Sequence, residues 1–227
     1  MKTYKLHFIR HGFTDANVNA ICAGTSDYTL NDEGRIELKE LLKNHDYPYA
    51  ERYFCSPLTR CRQTMDILYP DAVHEIVEGL HEQSFGEFEG RAFADIATEP
   101  AFQEWMSSGG KTAVPGGESI DDVLKRTSLA LDSIVKDIMS KGQLSAVICT
   151  HGGVMMALLS AYGLPQLQPK DYMFGNGRGV TVRITPSIWM REGKFEVMQY
   201  IPPDDAFFAR GKQAELFKEF LESKESL

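Results

Sequence analysis

Leu144 to Leu164 reads LSAVICTHGGVMMALLSAYGL, and the division of this apolar stretch decides the fold. Its length and hydropathy raise the question of a membrane span. Thr150, His151, Gly152 and Gly153 stand near its middle, and a buried strand running into a buried helix accounts for them better. Leu144 to Cys149 is therefore read as a central strand, with Val154 to Leu159 in the helix that follows.

Working outward, Leu6, Phe8 and Ile9 form a short buried strand that stops at Arg10-His11-Gly12. Asn31 can cap a helix starting near Asp32, with Leu38, Leu41 and Leu42 on one face. Arg52 to Cys55 is a second strand, and Ser56-Pro57 predicts a cap and first helical position for a helix through Met65 and Leu68. Ala72 to Leu80 reads as extended, ending at His81-Glu82 and the glycine-punctuated FGEFEG loop. Pro100 opens one of several short helices between Arg91 and Pro115. The longest helix follows Gly116-Gly117-Glu118-Ser119, with Ile120, Val123, Leu124, Leu131, Ile134 and Ile138 at helical spacing. Val180, Val182 and Ile184 alternate, as do Phe195, Val197 and Ile201, and Glu192-Gly193 predicts a hairpin turn between them. A last amphipathic helix carries Leu216, Phe217, Phe220 and Leu221 on one side.

Strands alternating with helices predict an α/β three-layer sandwich with a mostly parallel central sheet flanked by helices. No repeat, low-complexity block or Pro/Ser-rich linker interrupts it, so residues 1–227 read as one domain, with about 86–116 as an excursion over one end of the sheet. A 227-residue chain can bury a sizeable core without staples. Its 24 Lys and Arg against 32 Asp and Glu argue against a general nucleic-acid or anionic-membrane binder, although one basic pocket fits inside an acidic shell. Cys22, Cys55, Cys61 and Cys149 have neither CxxC nor metal-ligand spacing, and MKTYKLHFIRHG has too short an apolar run for a signal peptide. The expectation is a soluble, cytoplasmic protein.

Ligands of such sheets bind at the carboxyl ends of the strands. Those ends carry Arg10-His11, then Ser56 and Arg60, then His81-Glu82, then His151. Topology thus brings cations, imidazoles and a carboxylate together from distant segments. Guanidinium is a planar phosphate fork, and Arg60 in the first turn of its helix opposes the helix dipole unless an anion binds there. A histidine beside such a pocket can attack phosphorus if the facing nitrogen is unprotonated, a tautomer enforced by a backbone carbonyl holding the other nitrogen's proton. A carboxylic acid beside a phosphate dianion is pushed toward its protonated form, which suits a general acid.

Five ordered blocks match a known pattern: FIRHGFTDAN at 8–17, SPLTRCRQT at 56–64, HEQSFGEFEG at 81–90, PGGES at 115–119 and THGGV at 150–154. Together they resemble the histidine phosphatase, or phosphoglycerate mutase-like, superfamily. The resemblance implies His11 as the nucleophile that becomes phosphohistidine. It implies Arg10, Arg60 and His151 as the clamp on the phosphoryl oxygens, with Asn17 as a further donor. Glu82 would donate the proton to the leaving alcohol and then activate water. No metal or other cofactor is implied, and the substrate would be a small phosphorylated metabolite. The sequence departs from the family where Phe13 replaces the usual acid after RHG, and where Met155 and Met156 occupy a stretch that often holds arginine.

FGEFEG looks like the phosphatase branch, and 91–114 contains only Arg91 and Lys111 as cations, so an acid-type phosphatase is favoured over a cofactor-dependent phosphoglycerate mutase. A non-catalytic phosphate-binding regulatory protein is the third reading, disfavoured because every core position is filled. Glu87 and Glu89 are rivals to Glu82, Arg62 reads as a solvated charge, and His7, His45 and His74 as surface or edge residues. Phe13, Phe85, Phe88, Phe93 and Trp105 divide between pocket mouth and core packing. Gly110-Lys111-Thr112 and the glycines at 175 and 177 only imitate nucleotide-binding loops. Oligomeric state is not legible.

Overall fold

The computed structural model describes residues 2–166 and 169–203. In chain order it forms β1 (Tyr4–Arg10), α1 (Asp15–Val18), α2 (Asp32–Asn44), β2 (Arg52–Cys55), α3 (Thr59–Leu68), β3 (Glu75–Ile76), α4 (Phe93–Ile96), α5 (Pro100–Ser107), α6 (Ile120–Ser140), β4 (Ser145–Thr150), α7 (Gly152–Tyr162), β5 (Gly163–Leu164), β6 (Gly179–Ile184), α8 (Pro186–Glu192) and β7 (Phe195–Ile201). Among these residues seven strands make one sheet in the order β3-β2-β4-β1-β6-β7-β5. β3, β2, β4 and β1 run parallel, β6 is antiparallel to β1 and β7, and β5 is parallel to β7.

The apolar run of β4 is continuous because both faces of the sheet are covered. Ala146 and Ile148 pack with Leu6, Phe8, Val180 and Val182 against α6 and α7. Val147 and Cys149 point the other way, with Ile9 and Cys55, against Leu38 and Leu41 of α2 and Met65 and Leu68 of α3. Phe8 and Ile148 are buried, each contributing about 1.5–3 kcal/mol of transfer free energy. The three-layer α/β sandwich therefore follows from a two-residue alternation meeting helix stripes on each side. No helix among the described residues is long and apolar enough to cross a membrane.

The segment 86–116 builds a small core of its own. Phe88, Phe93, Ile96, Phe102 and Trp105 pack with Ala20 and Cys22, and Phe88 meets Phe102 edge-on at 5.7 Å. Phe88, Phe93 and Trp105 are thus packing residues, while Phe13 and Phe85 are half-buried.

Several local expectations are corrected by long-range contacts. The helix expected at Ser56-Pro57 starts at Thr59, with Leu58 at its N-cap. Asp27 supplies the missing cap by accepting from the Thr59 amide at 2.7 Å and its hydroxyl at 2.6 Å. Of the extended piece predicted at Ala72 to Leu80, only Glu75–Ile76 pairs, because β3 is the sheet edge and β2 offers it only Phe54 and Cys55. Glu192-Gly193 does not turn a hairpin, since α8 intervenes and Gly193 ends it in the left-handed region at φ 62°. Thr185-Pro186 was the helix-opening signal. On α2 the buried side is Gly34, Leu38 and Leu41, whereas Leu42 is exposed. His7 is buried on the central strand, not at an edge, and its Nδ1 bonds Thr181 Oγ1 at 2.9 Å. The helix expected around Leu216 to Leu221 lies outside the described residues.

Candidate active site

The parallel pairing of β1 with β4 sets Arg10 opposite Thr150, so His11 and His151 leave adjacent strand ends together. The His11 amide donates to Thr150 O at 3.0 Å, and the two imidazoles lie 5.2 Å apart, centroid to centroid. Both rings are buried. His11 Nδ1 meets Gly12 O at 2.7 Å, which we assign as Nδ1–H donating to the carbonyl, leaving the lone pair on Nε2. Burial, then Arg60 and Arg10, hold the His11 pKa well below the ordinary imidazole value, so the ring is neutral at neutral pH.

His151 Nδ1 accepts from Arg60 Nε at 3.3 Å, and its Nε2 meets Ser56 Oγ at 2.7 Å. Ser56 is thus committed to an imidazole 95 residues away, and this is why it does not cap α3. Burial and the neighbouring Arg60 also depress the His151 pKa well below its ordinary value.

Arg60 is almost fully enclosed. Its Nη1 donates to Ser26 O at 2.8 Å, its Nη2 to Gly24 O at 2.7 Å and Ala23 O at 3.2 Å. With Nε on His151, four of its five N–H groups therefore have protein acceptors. Backbone carbonyls thus occupy most of the Arg60 fork. Arg10 differs. Its Nη1 donates to Phe174 O at 2.7 Å, but its enclosed Nε meets no acceptor. Burial lowers the Arg10 pKa to about 10, opposed by Glu82 and aided by Arg60, and it keeps its charge at neutral pH.

Glu82 accepts from the Gln83 amide at 3.0 Å and the Gly153 amide at 3.1 Å, at the N-terminus of α7. The paired glycines after His151 have a steric reason. A Cβ on Gly153 would lie 2.6 Å from Glu82 Oε1, and one on Gly152 would press on Arg10 Nε at 3.2 Å. Asn17 completes a capping box with Thr14 on α1, its Oδ1 accepting from the Thr14 amide at 3.1 Å and hydroxyl at 2.9 Å. Arg10, His11, Arg60, Glu82 and His151 are therefore brought to one end of the sheet, and Asn17 follows on the loop from His11. Among the described residues no group of three or more His, Cys, Asp or Glu side chains could hold a metal ion.

The sequence profile described as the histidine phosphatase superfamily, branch 1, matches residues 6–192. The chain belongs to that superfamily. It is 29% identical over 172 residues to a putative phosphoserine phosphatase 2 of Hydrogenobacter thermophilus, covering 72% of this chain and 82% of that one. It is 28% identical over 182 residues to a 2,3-bisphosphoglycerate-dependent phosphoglycerate mutase of Xanthobacter autotrophicus, covering 74% and 84%. In fold it is similar to a mycobacterial glucosyl-3-phosphoglycerate phosphatase, at TM-score 0.73 and 22% identity over 92% of this chain and 100% of that one.

Two residues that hold the site of this histidine phosphatase escaped sequence reasoning, and a third, Glu89, was named only as a rival to Glu82. Asn176 is buried and its Nδ2 donates to His11 O at 3.0 Å and Gly12 O at 3.2 Å, bracing the carbonyl that sets the His11 tautomer. It lies in the glycine run read as a false nucleotide loop. Arg126, on α6, donates to the carbonyls of Gly79, His81 and Glu82 at 3.0, 2.8 and 3.0 Å. A cation three residues after Val123, beside an apolar stripe, was the available signal. Glu89, the rival acid, gives its carboxylate to Gly24, Thr25, Ser26 and Phe85. Arg62 is exposed and donates to Thr59 Oγ1.

Buried neutral histidines make stability pH-dependent. Burial, then Lys5, lower the His7 pKa to about 4 from 6.5, and His11 and His151 are lowered as well. Between the folded and unfolded values the unfolded chain binds more protons. Their stabilisation is therefore complete above the unfolded pKa and declines as pH falls through that window, with His7 alone contributing about 3 kcal/mol. The urea midpoint is expected to drop below about pH 6.5, and His7→Gln to flatten the slope by about 1.4 kcal/mol per pH unit. Identical slopes in both proteins would refute the His7 assignment.

Proposed function

We propose that this histidine phosphatase, acting as an acid-type enzyme, hydrolyses small phosphomonoesters through a phosphohistidine on His11. The observation that carries the reading is the 2.7 Å bond from His11 Nδ1–H to Gly12 O, which leaves a neutral imidazole with its lone pair on Nε2. The phosphoryl group sits against Arg10, Arg60, His151 and Asn17. Arg10 Nε, enclosed and without an acceptor, gains one from a phosphoryl oxygen. The long Arg60–His151 contact of 3.3 Å yields to another: Ser56 Oγ–H then donates to His151 Nε2, and the His151 Nδ1–H of that tautomer faces the anion beside the Arg60 Nε–H. Arg60 then keeps three N–H groups on backbone carbonyls and turns two toward the anion, and Arg10 is the freer fork.

His11 Nε2 attacks phosphorus as the bond to the substrate oxygen breaks, and Glu82 transfers its proton to that leaving oxygen. Water next attacks the phosphohistidine while Glu82 accepts its proton, releasing inorganic phosphate and restoring His11. Positioning and charge stabilisation supply most of the rate, as phosphoryl transfer requires. Residues 86–116 serve as the cap of a single domain spanning 1–227. Four buried thiols fit a reducing compartment, which supports a cytoplasmic location.

The mutase reading is weaker because it needs extra cations for a second acidic group. Arg91, in the cap, is paired with Glu99, and Lys111 is exposed. The discriminating experiment adds 3-phosphoglycerate with a catalytic amount of bisphosphate. Phosphate release faster than isomerisation is expected, and the reverse order overturns the phosphatase assignment.

A further inference from the structure

Residues 23–26 form a strip of backbone with opposite charges on its two sides. On one side the carbonyls of Ala23, Gly24 and Ser26 accept from Arg60. On the other, the amides of Gly24, Thr25 and Ser26 donate to the Glu89 carboxylate at 3.1, 2.9 and 3.1 Å, joined by Ser26 Oγ at 2.5 Å. The Phe85 amide adds a further bond at 2.9 Å, so the same carboxylate ties the cap to this strip. Three successive amides around one anion are a nest.

We infer that Glu89 is a positioning residue for the phosphate pocket: its carboxylate shapes the 23–26 strip, and the strip aims the Arg60 guanidinium. The inference rests on the reading of Arg60 as part of that pocket. Burial opposes ionisation of Glu89, yet the bonds from Ser26, Phe85 and Thr25 hold its pKa below the ordinary carboxylate value. The group is thus an anion at neutral pH. Its loss leaves three amides of the strip without their acceptor, and a guanidinium tied to the same strip by three carbonyls moves with it. The cap is held near this point by further bonds, Gly90 N to Cys22 O at 2.8 Å and Cys22 N to Arg91 O at 2.9 Å. Displacement is therefore confined to the strip, and an error of this kind reaches binding as well as chemistry.

The test compares Glu89→Gln with the wild-type chain, using p-nitrophenyl phosphate as substrate and inorganic phosphate as competitive inhibitor. Both KM and the phosphate Ki are expected to rise roughly ten-fold or more at a temperature where the variant is folded. Phe102→Leu, in the cap core, controls for stability: it is expected to lower the Tm without moving Ki. A Glu89→Gln Ki within about two-fold of wild type, with Arg60→Lys raising it roughly ten-fold, overturns the role of Glu89 and leaves the pocket standing. An unchanged Ki in Arg60→Lys overturns the pocket itself, and the inference with it. Should Glu89→Gln fail to fold, Ser26→Ala removes one of these bonds; a Ki raised about two- to three-fold supports the inference, and an unchanged Ki overturns it.

Discussion

His11→Ala is expected to lower kcat for p-nitrophenyl phosphate by ~10⁴-fold or more and to abolish acid-labile phosphate on the protein. No other group replaces its lone pair. The nearest imidazole, His151, has Nδ1 on Arg60 and Nε2 on Ser56. Arg10 and Arg60 stay in place, so the variant still binds inorganic phosphate, with a Ki within a few-fold of wild type. Rate and affinity thereby separate, as they do when a group acts on the transition state rather than on binding. The measurement is rapid quench with radiolabelled substrate under alkaline conditions, followed by steady-state inhibition. Equal labelling of the variant would refute the assignment, and a variant no slower than wild type would favour a non-catalytic phosphate-binding protein.

Glu82→Gln is expected to affect two leaving groups differently. An alkyl phosphate needs a proton on its departing oxygen, and its turnover should fall by roughly 10²–10⁴-fold. Nitrophenolate leaves without one, so His11 is still phosphorylated. The second step then stalls because nothing takes the proton from water. A burst of about one equivalent of nitrophenol per site should appear, and phosphohistidine should accumulate above its wild-type level. Glutamine preserves the shape and can still accept from Gly153, which holds the carboxylate oxygen at 3.1 Å. Equal losses for both leaving groups, with no burst, would show that the proton is handled elsewhere.

Much of the architecture was legible because its causes are local. The strand of β4 and the stripe of α6 are written in periods of two and about 3.6 residues. Asn31 and Ser119 cap their helices by bonds to residues three further on, at 2.8 and 3.2 Å. The strand ends carrying Arg10, His11, Arg60, Glu82 and His151 follow from the order of those elements, and the five matched blocks named their family.

What only the folded chain decided are bonds between distant segments. Ser56 reads as a cap, yet His151 claims it and Asp27 caps in its place. Arg60 reads as a fork, yet carbonyls 34 to 37 residues away occupy most of its donors. Glu89 reads as a rival acid to Glu82, and Asn176, between the glycines at 175 and 177, carries no signal of the bond it makes 165 residues away at His11. A side chain's period or capping preference acts within a turn and is visible along the sequence. A donor's final partner depends on which chain segment passes at 3 Å, and that is set only when the whole core has packed.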